Sequence, residues 1–370
     1  MSTRSRGSKN LAGSSAVTVN SSGVPNGGPM SWVASSGVSA YRVCWSPELR
    51  LFVGAALTSM QSSADGITWS THTPPAAYWY AVCWSPELRL FVAVGYLTAT
   101  YNVMTSPDGV NWTGTATLAA SSWQDVCWSQ ELRLFVAVAS YPVGDVSIVT
   151  SPDGVTWTPR TSPTAANWTA VTWAPEIGQF CVVGGFGYIL TSADGVTWLP
   201  QSAPSSTSWV SVCWSPTLRL FCTVSGQDVI TQRIATSPDG VTWTYRPGAD
   251  TSQWQNIIWI PELRLFVAVA IGAYNGYVMS SSDGITWVIR NDAISGQWYH
   301  ICWSPELRRL VKGPGGAYAD IAADLKVSAV ASGTVASVLT ASSGPTGAQT
   351  SIQGWLRIGV NGVDRFIPYW

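Results

Sequence analysis

Side chains suited to chemistry are few and scattered in this chain of 370 residues. Carboxylates outside any repeated phrase are chiefly Asp125, Asp145, Asp228, Asp250 and Asp292, and the comparable arginines are Arg42, Arg160, Arg233, Arg246, Arg290 and Arg309. Two carboxyl groups about 5 to 10 Å apart would hydrolyse a glycoside, and clustered arginines would hold an acidic sugar. No pair or cluster stands out by its spacing. His72 and His300 are the two histidines, too few for a converging metal site. The reading is a protein with no catalytic residue, no metal and no cofactor. Five of the seven cysteines, Cys44, Cys83, Cys127, Cys213 and Cys302, stand directly before a recurring Trp. Equivalent places have equivalent neighbours, so these thiols read as small buried groups and not as a disulfide framework.

The elements that must position these residues are repeats. A phrase, CWSPELRLFV in its cleanest form, recurs with its Trp at Trp45, Trp84, Trp128, Trp173, Trp214, Trp259 and Trp303, spaced by 39, 44, 45, 41, 45 and 44 residues. A period of that length marks a propeller or a solenoid, and the density of Val, Thr and Trp excludes a helical one. Each unit divides into four short antiparallel strands: W-x-x-V-C-W, then L-R-L-F-V-A-V after an S-P-E-L turn, a third strand, and V-T-W-T after an Asp-Gly turn. Fourth-strand tryptophans number six, Trp69, Trp112, Trp157, Trp198, Trp243 and Trp287, against seven in first strands. The seventh unit therefore ends after two strands near Lys312, and Met30 to Ala34 is the candidate for its missing outer strand. The expected fold is all-β: a seven-bladed β-propeller closed by N-terminal strand pairing, with a six-bladed ring and spare strands as the alternative. Its divisions are an N-terminal extension over 1–29, the propeller over 30–312, and a linker with a small β-hairpin over 313–370.

The S-P-D-G-V-T-W phrase from Ser151 to Trp157, with cognates from Ser106, Ser192 and Ser237, resembles the Asp-box of sialidase-like propellers. Asp and Gly are adjacent here, whereas the family places one residue between them. In that family the box is a structural hairpin remote from catalysis, so the resemblance implies fold and strand order. A sialidase-like glycoside hydrolase would further need an arginine cluster, a Tyr nucleophile and acidic partners, none of which belongs to the repeat.

Alternating strand direction puts the S-P-E-L and Asp-Gly turns on one face. The loops between second and third strands, which absorb most of the length variation, lie on the other. Variable loops on a rigid scaffold are where binding is usually built. The candidate glycan or receptor contacts there are Tyr96, Tyr101, Tyr141, Phe186, Tyr188, Tyr274 and Tyr277. A second Trp precedes the repeat Trp by five residues in six units: Trp79, Trp123, Trp168, Trp209, Trp254 and Trp298. An odd spacing would send the two indoles of one strand to opposite sides of the sheet. The earlier Trp is expected to pack between blades, with stacking on a sugar ring as the alternative. On the invariant face, Arg50, Arg89, Arg133, Arg219 and Arg264 are expected to pair with Asp65, Asp108, Asp153, Asp239 and Asp283, joined by Glu48, Glu87, Glu131 and Glu262.

Charged residues make up 11% of the chain and the net charge is -1, so no broad basic surface suits nucleic acid. No apolar run is long enough to insert in a membrane. The head, MSTRSRGSKN, is expected to be disordered alone. In the tail, Gly354 to Trp370 reads as a hairpin about Asn361-Gly362, with Trp355, Phe366, Tyr369 and Trp370 as assembly-anchoring residues. That ending and the W-S-P-E-L-R-L-F-V repeats are similar to those of tailed-bacteriophage virion proteins. The resemblance implies a non-enzymatic virion structural protein made in the host cytoplasm. As a tail tip or fibre component it would display the propeller for host-surface glycan recognition, with other virion proteins and further copies of itself as partners. Capsid decoration and a general interaction scaffold are the alternatives.

Overall fold

A computed structural model describes residues 18–19, 25–26, 32–34, 39–96, 101–116, 118, 122–140, 146–202, 207–226, 233–250, 252–271, 278–290, 298–313, 317–320, 354–360 and 363–369. The chain divides into two compact units, Met1–Ile321 and Ala322–Trp370. The first is built from repeated four-stranded antiparallel sheets, as in a β-propeller. Sheet 1 comprises Arg42–Ser46, Leu51–Ala56, Ser59–Ser63 and Ser70–His72. Sheets 2 to 6 repeat that order, with first strands Tyr78–Ser85, Ser122–Ser129, Trp168–Ala174, Trp209–Ser215 and Gln253–Ile260. Sheets 2 and 3 are also joined by the pair Ser122 and Tyr96.

The seventh sheet draws on both ends of the unit. His300–Ser304 pairs with Arg309–Gly313, that strand with Ala317–Asp320, and Ala317–Asp320 with Trp32–Ala34, Val33 lying opposite Tyr318. The sequence ends the seventh unit near Lys312 because Ala317–Asp320 lacks the Asp-Gly turn phrase. The structure adds it as a third strand, so this sheet extends past that boundary. In the second unit, Gly354–Val360 pairs with Val363–Tyr369 as the hairpin read from Asn361-Gly362. The side chains of Trp355, Phe366 and Tyr369, and all of Trp370, lie outside the described residues.

Two tryptophans five residues apart do not face opposite sides of the sheet. In sheet 2, Trp79 pairs with Gly95, Ala81 with Val94 and Trp84 with Phe91, so a bulge at Tyr80 absorbs one residue. The same shift recurs at Gln124, Thr169, Val210 and Gln255. Partners four apart share a face, and the bulge therefore turns both indoles of one strand to the same side. Trp79 and Trp84 fill one apolar cluster with Val53 and Ala55 of sheet 1. Trp123 and Trp128 fill the next with Val92 and Val94 of sheet 2. Within each of sheets 1 to 6 the repeat Trp, a Phe and the Asp-turn Trp stand in a row, as in Trp84, Phe91 and Trp112 with ring centroids 4.4 and 6.3 Å apart. Another cluster joins Val43 and Phe52 of sheet 1 to Cys302 and Val311 of sheet 7.

The invariant turns are organised differently from the predicted Arg–Asp pairs. Among the described residues Arg42 pairs with Asp125, and none of Arg50, Arg89, Arg133, Arg219 or Arg264 meets its Asp. Each Asp is satisfied by its own turn. Asp153 accepts the Val155 and Thr156 N–H groups at 2.8 and 2.7 Å and the Ser151 hydroxyl at 3.0 Å. Gly154, at φ +75, packs so closely on Val92 of the preceding sheet that a Cβ would lie 2.8 Å from it. The repeat Glu makes the contact between sheets instead. Trp84 donates its indole N–H to Glu48, Trp128 to Glu87, Trp173 to Glu131, Trp214 to Glu176, Trp303 to Glu262 and Trp45 to Glu306, at 2.5 to 2.8 Å. The last of these ties sheet 1 to sheet 7. Sheet 5 carries Thr217 where the others carry Glu, and the Trp259 indole N–H of sheet 6 is buried without a partner.

Candidate functional site

The residue just after the early Trp, or after Ala40 in sheet 1, is one of two adjacent positions that vary inside an otherwise near-constant first strand. It reads Tyr41, Tyr80, Gln124, Thr169, Val210, Gln255 and Tyr299 through the seven sheets. The bulges fall on this register, and a bulge re-aims a side chain. All seven line one pocket of about 360 Å³, with Leu57 and Arg42 completing its wall. Tyr41 and Tyr299 lie side by side, ring centroids 5.4 Å apart. The Thr169 hydroxyl is held by the carbonyls of Trp209 and Val183 at 2.7 and 3.0 Å, and the Gln124 amide nitrogen by the Ser122 hydroxyl at 2.7 Å.

One residue further along the strand is a polar waist. Arg42 lies 3.4 Å from Asp125 and reaches the Thr169 carbonyl at 3.5 Å. Asp125 also accepts the Val171 N–H from the next sheet at 3.0 Å. Burial pushes the Asp125 carboxyl up, and the Arg42 charge and the Val171 and Val126 N–H groups offset part of that rise. His300 accepts the Val43 N–H through Nδ1 at 3.3 Å. Burial, and then the Arg42 charge, push the His300 pKa well below its usual value, so the ring is neutral with its proton on Nε2. Ser211 and Asn256 accept N–H groups of Ile257 and Ile301 in the same manner, at 3.2 and 3.1 Å. These polar groups thus stitch neighbouring first strands together. Below the waist a second opening of about 410 Å³ is lined by Trp173, Trp214 and Trp259 among others.

The six early tryptophans are not a ligand surface. Trp79, Trp123, Trp168, Trp209, Trp254 and Trp298 are each 0% exposed, buried against the preceding sheet. Their indoles give no face to a sugar, and the stacking alternative is corrected to packing. Three of the loop-face residues are accessible. Phe186 is 70% exposed at φ +57, a left-handed backbone that costs a non-glycine residue energy, and Tyr96 and Tyr188 are exposed as well. Tyr101 is half-buried and lies over Gly114, where a Cβ would meet its ring at 2.4 Å. Tyr141, Tyr274 and Tyr277 lie outside the described residues. Trp168 pairs with Gly184, beside the turn that carries Phe186, so the pocket residue Thr169 and the exposed Phe186 belong to one edge of sheet 4.

Among the isolated carboxylates, Asp125 sits at the waist and Asp250 accepts the Ser252 hydroxyl at 2.8 Å. Asp145, Asp228 and Asp292 lie outside the described residues. All seven cysteines are free thiols, and burial pushes them up, Cys302 to about 12. The pocket residues were overlooked in the sequence, although a signal was present: one of two adjacent registers that vary between copies of a near-identical strand.

No family model and no curated protein matches the chain. Solved structures do. A chain of the crystal structure of the mitotic checkpoint complex superposes with a TM-score of 0.58 at 16% identity, over 86% of this chain and 98% of that one. It is one of 1377 matching chains, a breadth that fits a widely reused fold. Likeness at this identity supports the propeller architecture and carries no activity or partner.

Proposed function

We propose that the seven sheets close into one seven-bladed ring and that this ring is a non-enzymatic recognition part of a tailed-phage virion, presenting its loop face to host-surface glycans. Ring closure is supported by the pairing of Trp32–Ala34 with Ala317–Asp320 and by the Trp45 to Glu306 bond. The observation that carries the recognition role is the contrast between the two faces. One face repeats the same saturated turns, whereas the other combines an exposed, strained Phe186 with a pocket in which no two adjacent sheets from sheet 2 to sheet 7 contribute the same residue. Repeats that stay constant where they pack and diverge where they meet solvent are arranged for binding. The absence of catalysis is supported by the waist, where Asp125 is committed to Arg42 and two backbone N–H groups. The virion assignment rests on the resemblance of the repeats and of the chain's last residues to phage structural proteins.

Two measurements test this reading. A glycan array probed with the full chain should show binding to bacterial surface glycans, and a particle reconstruction should place the protein at the tail tip or fibre. Location on the capsid shell together with an empty array would replace attachment by decoration. Turnover of a chromogenic sialoside or related glycoside would overturn the non-enzymatic reading.

A further inference from the structure

We infer that the pocket on the first-strand register is a binding site for a single neutral pyranose ring, free or at the end of a longer glycan. The inference rests on the attachment reading above and names the ligand class of that face. Its volume of about 360 Å³ lies in the range of small-molecule sites, about 300 to 1,000 Å³. Most of the wall is made of groups that are apolar on one side and polar on the other. Tyr41, Tyr80 and Tyr299 provide aromatic surface that carries a hydroxyl, and Gln124, Gln255 and Thr169 provide amide and hydroxyl groups between them.

This pattern suits a ring with C–H faces and many hydroxyl edges. A purely apolar ligand would displace water from the Gln255 amide and the Tyr41 and Tyr80 hydroxyls without replacing its hydrogen bonds, at a cost for each group. Charge decides the next point. The lining holds one ionic group, Arg42, and that guanidinium is already paired with Asp125 at 3.4 Å. A carboxylate sugar would have to compete with Asp125 for it, whereas a neutral sugar leaves the pair intact. Different residues around the ring also break its symmetry, so one orientation of an asymmetric sugar is favoured over rotated ones.

The test is saturation-transfer NMR of the full chain with glucose, galactose, mannose and N-acetylglucosamine, beside glucuronic acid and N-acetylneuraminic acid. At least one neutral sugar should bind and neither acidic sugar should. Tyr80→Ala and Gln255→Ala should each weaken that binding by about tenfold or more, while Val155→Ala and Val241→Ala, at exposed positions of the Asp-Gly turns, leave it unchanged. Thermal melting establishes that each variant is folded, and Tyr80→Phe, which keeps the ring, should retain most of the affinity. Binding lost in Phe186→Ala but kept in Tyr80→Ala and Gln255→Ala would move the sugar to the loops, overturning this site while leaving the attachment reading in place. Preference for the acidic sugars, or no binding of any of the six, would also overturn it; the attachment reading would then stand or fall on the glycan array alone.

Discussion

At the scale of single residues, the same side-chain type does different work according to how far its partner lies along the chain. The Asp of each Asp-Gly turn finds all its donors within three residues, which is why the turn was legible from S-P-D-G-V-T-W alone. In Asp108, partial burial pushes the carboxyl up, but the backbone and side-chain amides of Asn111, the Val110 N–H and the Ser106 hydroxyl hold it at about 2. A carboxyl held below its unfolded value of about 3.9 stabilises the fold above that pH and loses the contribution as pH falls toward its folded value. The melting temperature should therefore drop between about pH 4 and about pH 2, and Asp108→Asn should melt lower at neutral pH with a shallower acid slope; an unchanged slope would contradict the account. The Arg–Asp pairing read from the sequence failed for the same local reason. Two groups on one face were close enough to suggest a pair, but the Asp had already been satisfied by its own turn. The early Trp makes the complementary case. Trp123 is 0% exposed, so Trp123→Ala should cost about 3 to 5 kcal/mol in urea unfolding. A folded variant of near-normal stability would return that indole to the surface.

At the scale of the sheet, one bulge decides what the first strand does. Counting residues gives an odd spacing between the two tryptophans, and nothing in W-Y-A-V-C-W announces that the residue after the first Trp drops out of register. Strand order was legible because turns punctuate it; the facing of side chains was not, because a bulge depends on how the neighbouring strand pairs. The links between sheets were hidden for a similar reason, since each Trp and Glu stand 36 to 42 residues apart in five of the links. Their rule is nonetheless visible in its exception, Thr217. Thr217→Glu should give the buried Trp259 indole N–H the acceptor it lacks and raise stability by about 1 to 2 kcal/mol, the worth of a hydrogen bond to a charged group less the ordering of the side chain. Glu87→Gln, which weakens the Trp128 bond, should act in the opposite direction in the same thermal melts. A destabilised Thr217→Glu variant would show that the sheet 5 to sheet 6 contact is built on another principle.

At the scale of the whole ring, the proposal is that seven sheet-to-sheet contacts, six of them with the Trp–Glu bond, close on themselves. The missing outer strand near Trp32 was legible from the tally of first- and fourth-strand tryptophans, whereas Ala317–Asp320 was not, because it carries none of the repeat's residues. In that proposal the pocket follows from closure, and Tyr41 from sheet 1 and Tyr299 from sheet 7 stand 5.4 Å apart although 258 positions separate them in the chain. The most direct test is a double-mutant cycle on Trp45 and Glu306, using Trp45→Phe and Glu306→Gln, with Trp84→Phe and Glu48→Gln as the reference for two sheets adjacent in sequence. Closure predicts coupling of about 1 kcal/mol in both cycles. Additivity at Trp45 and Glu306 to within about 0.3 to 0.5 kcal/mol, with the reference pair still coupled, would mean that the first and last sheets do not meet.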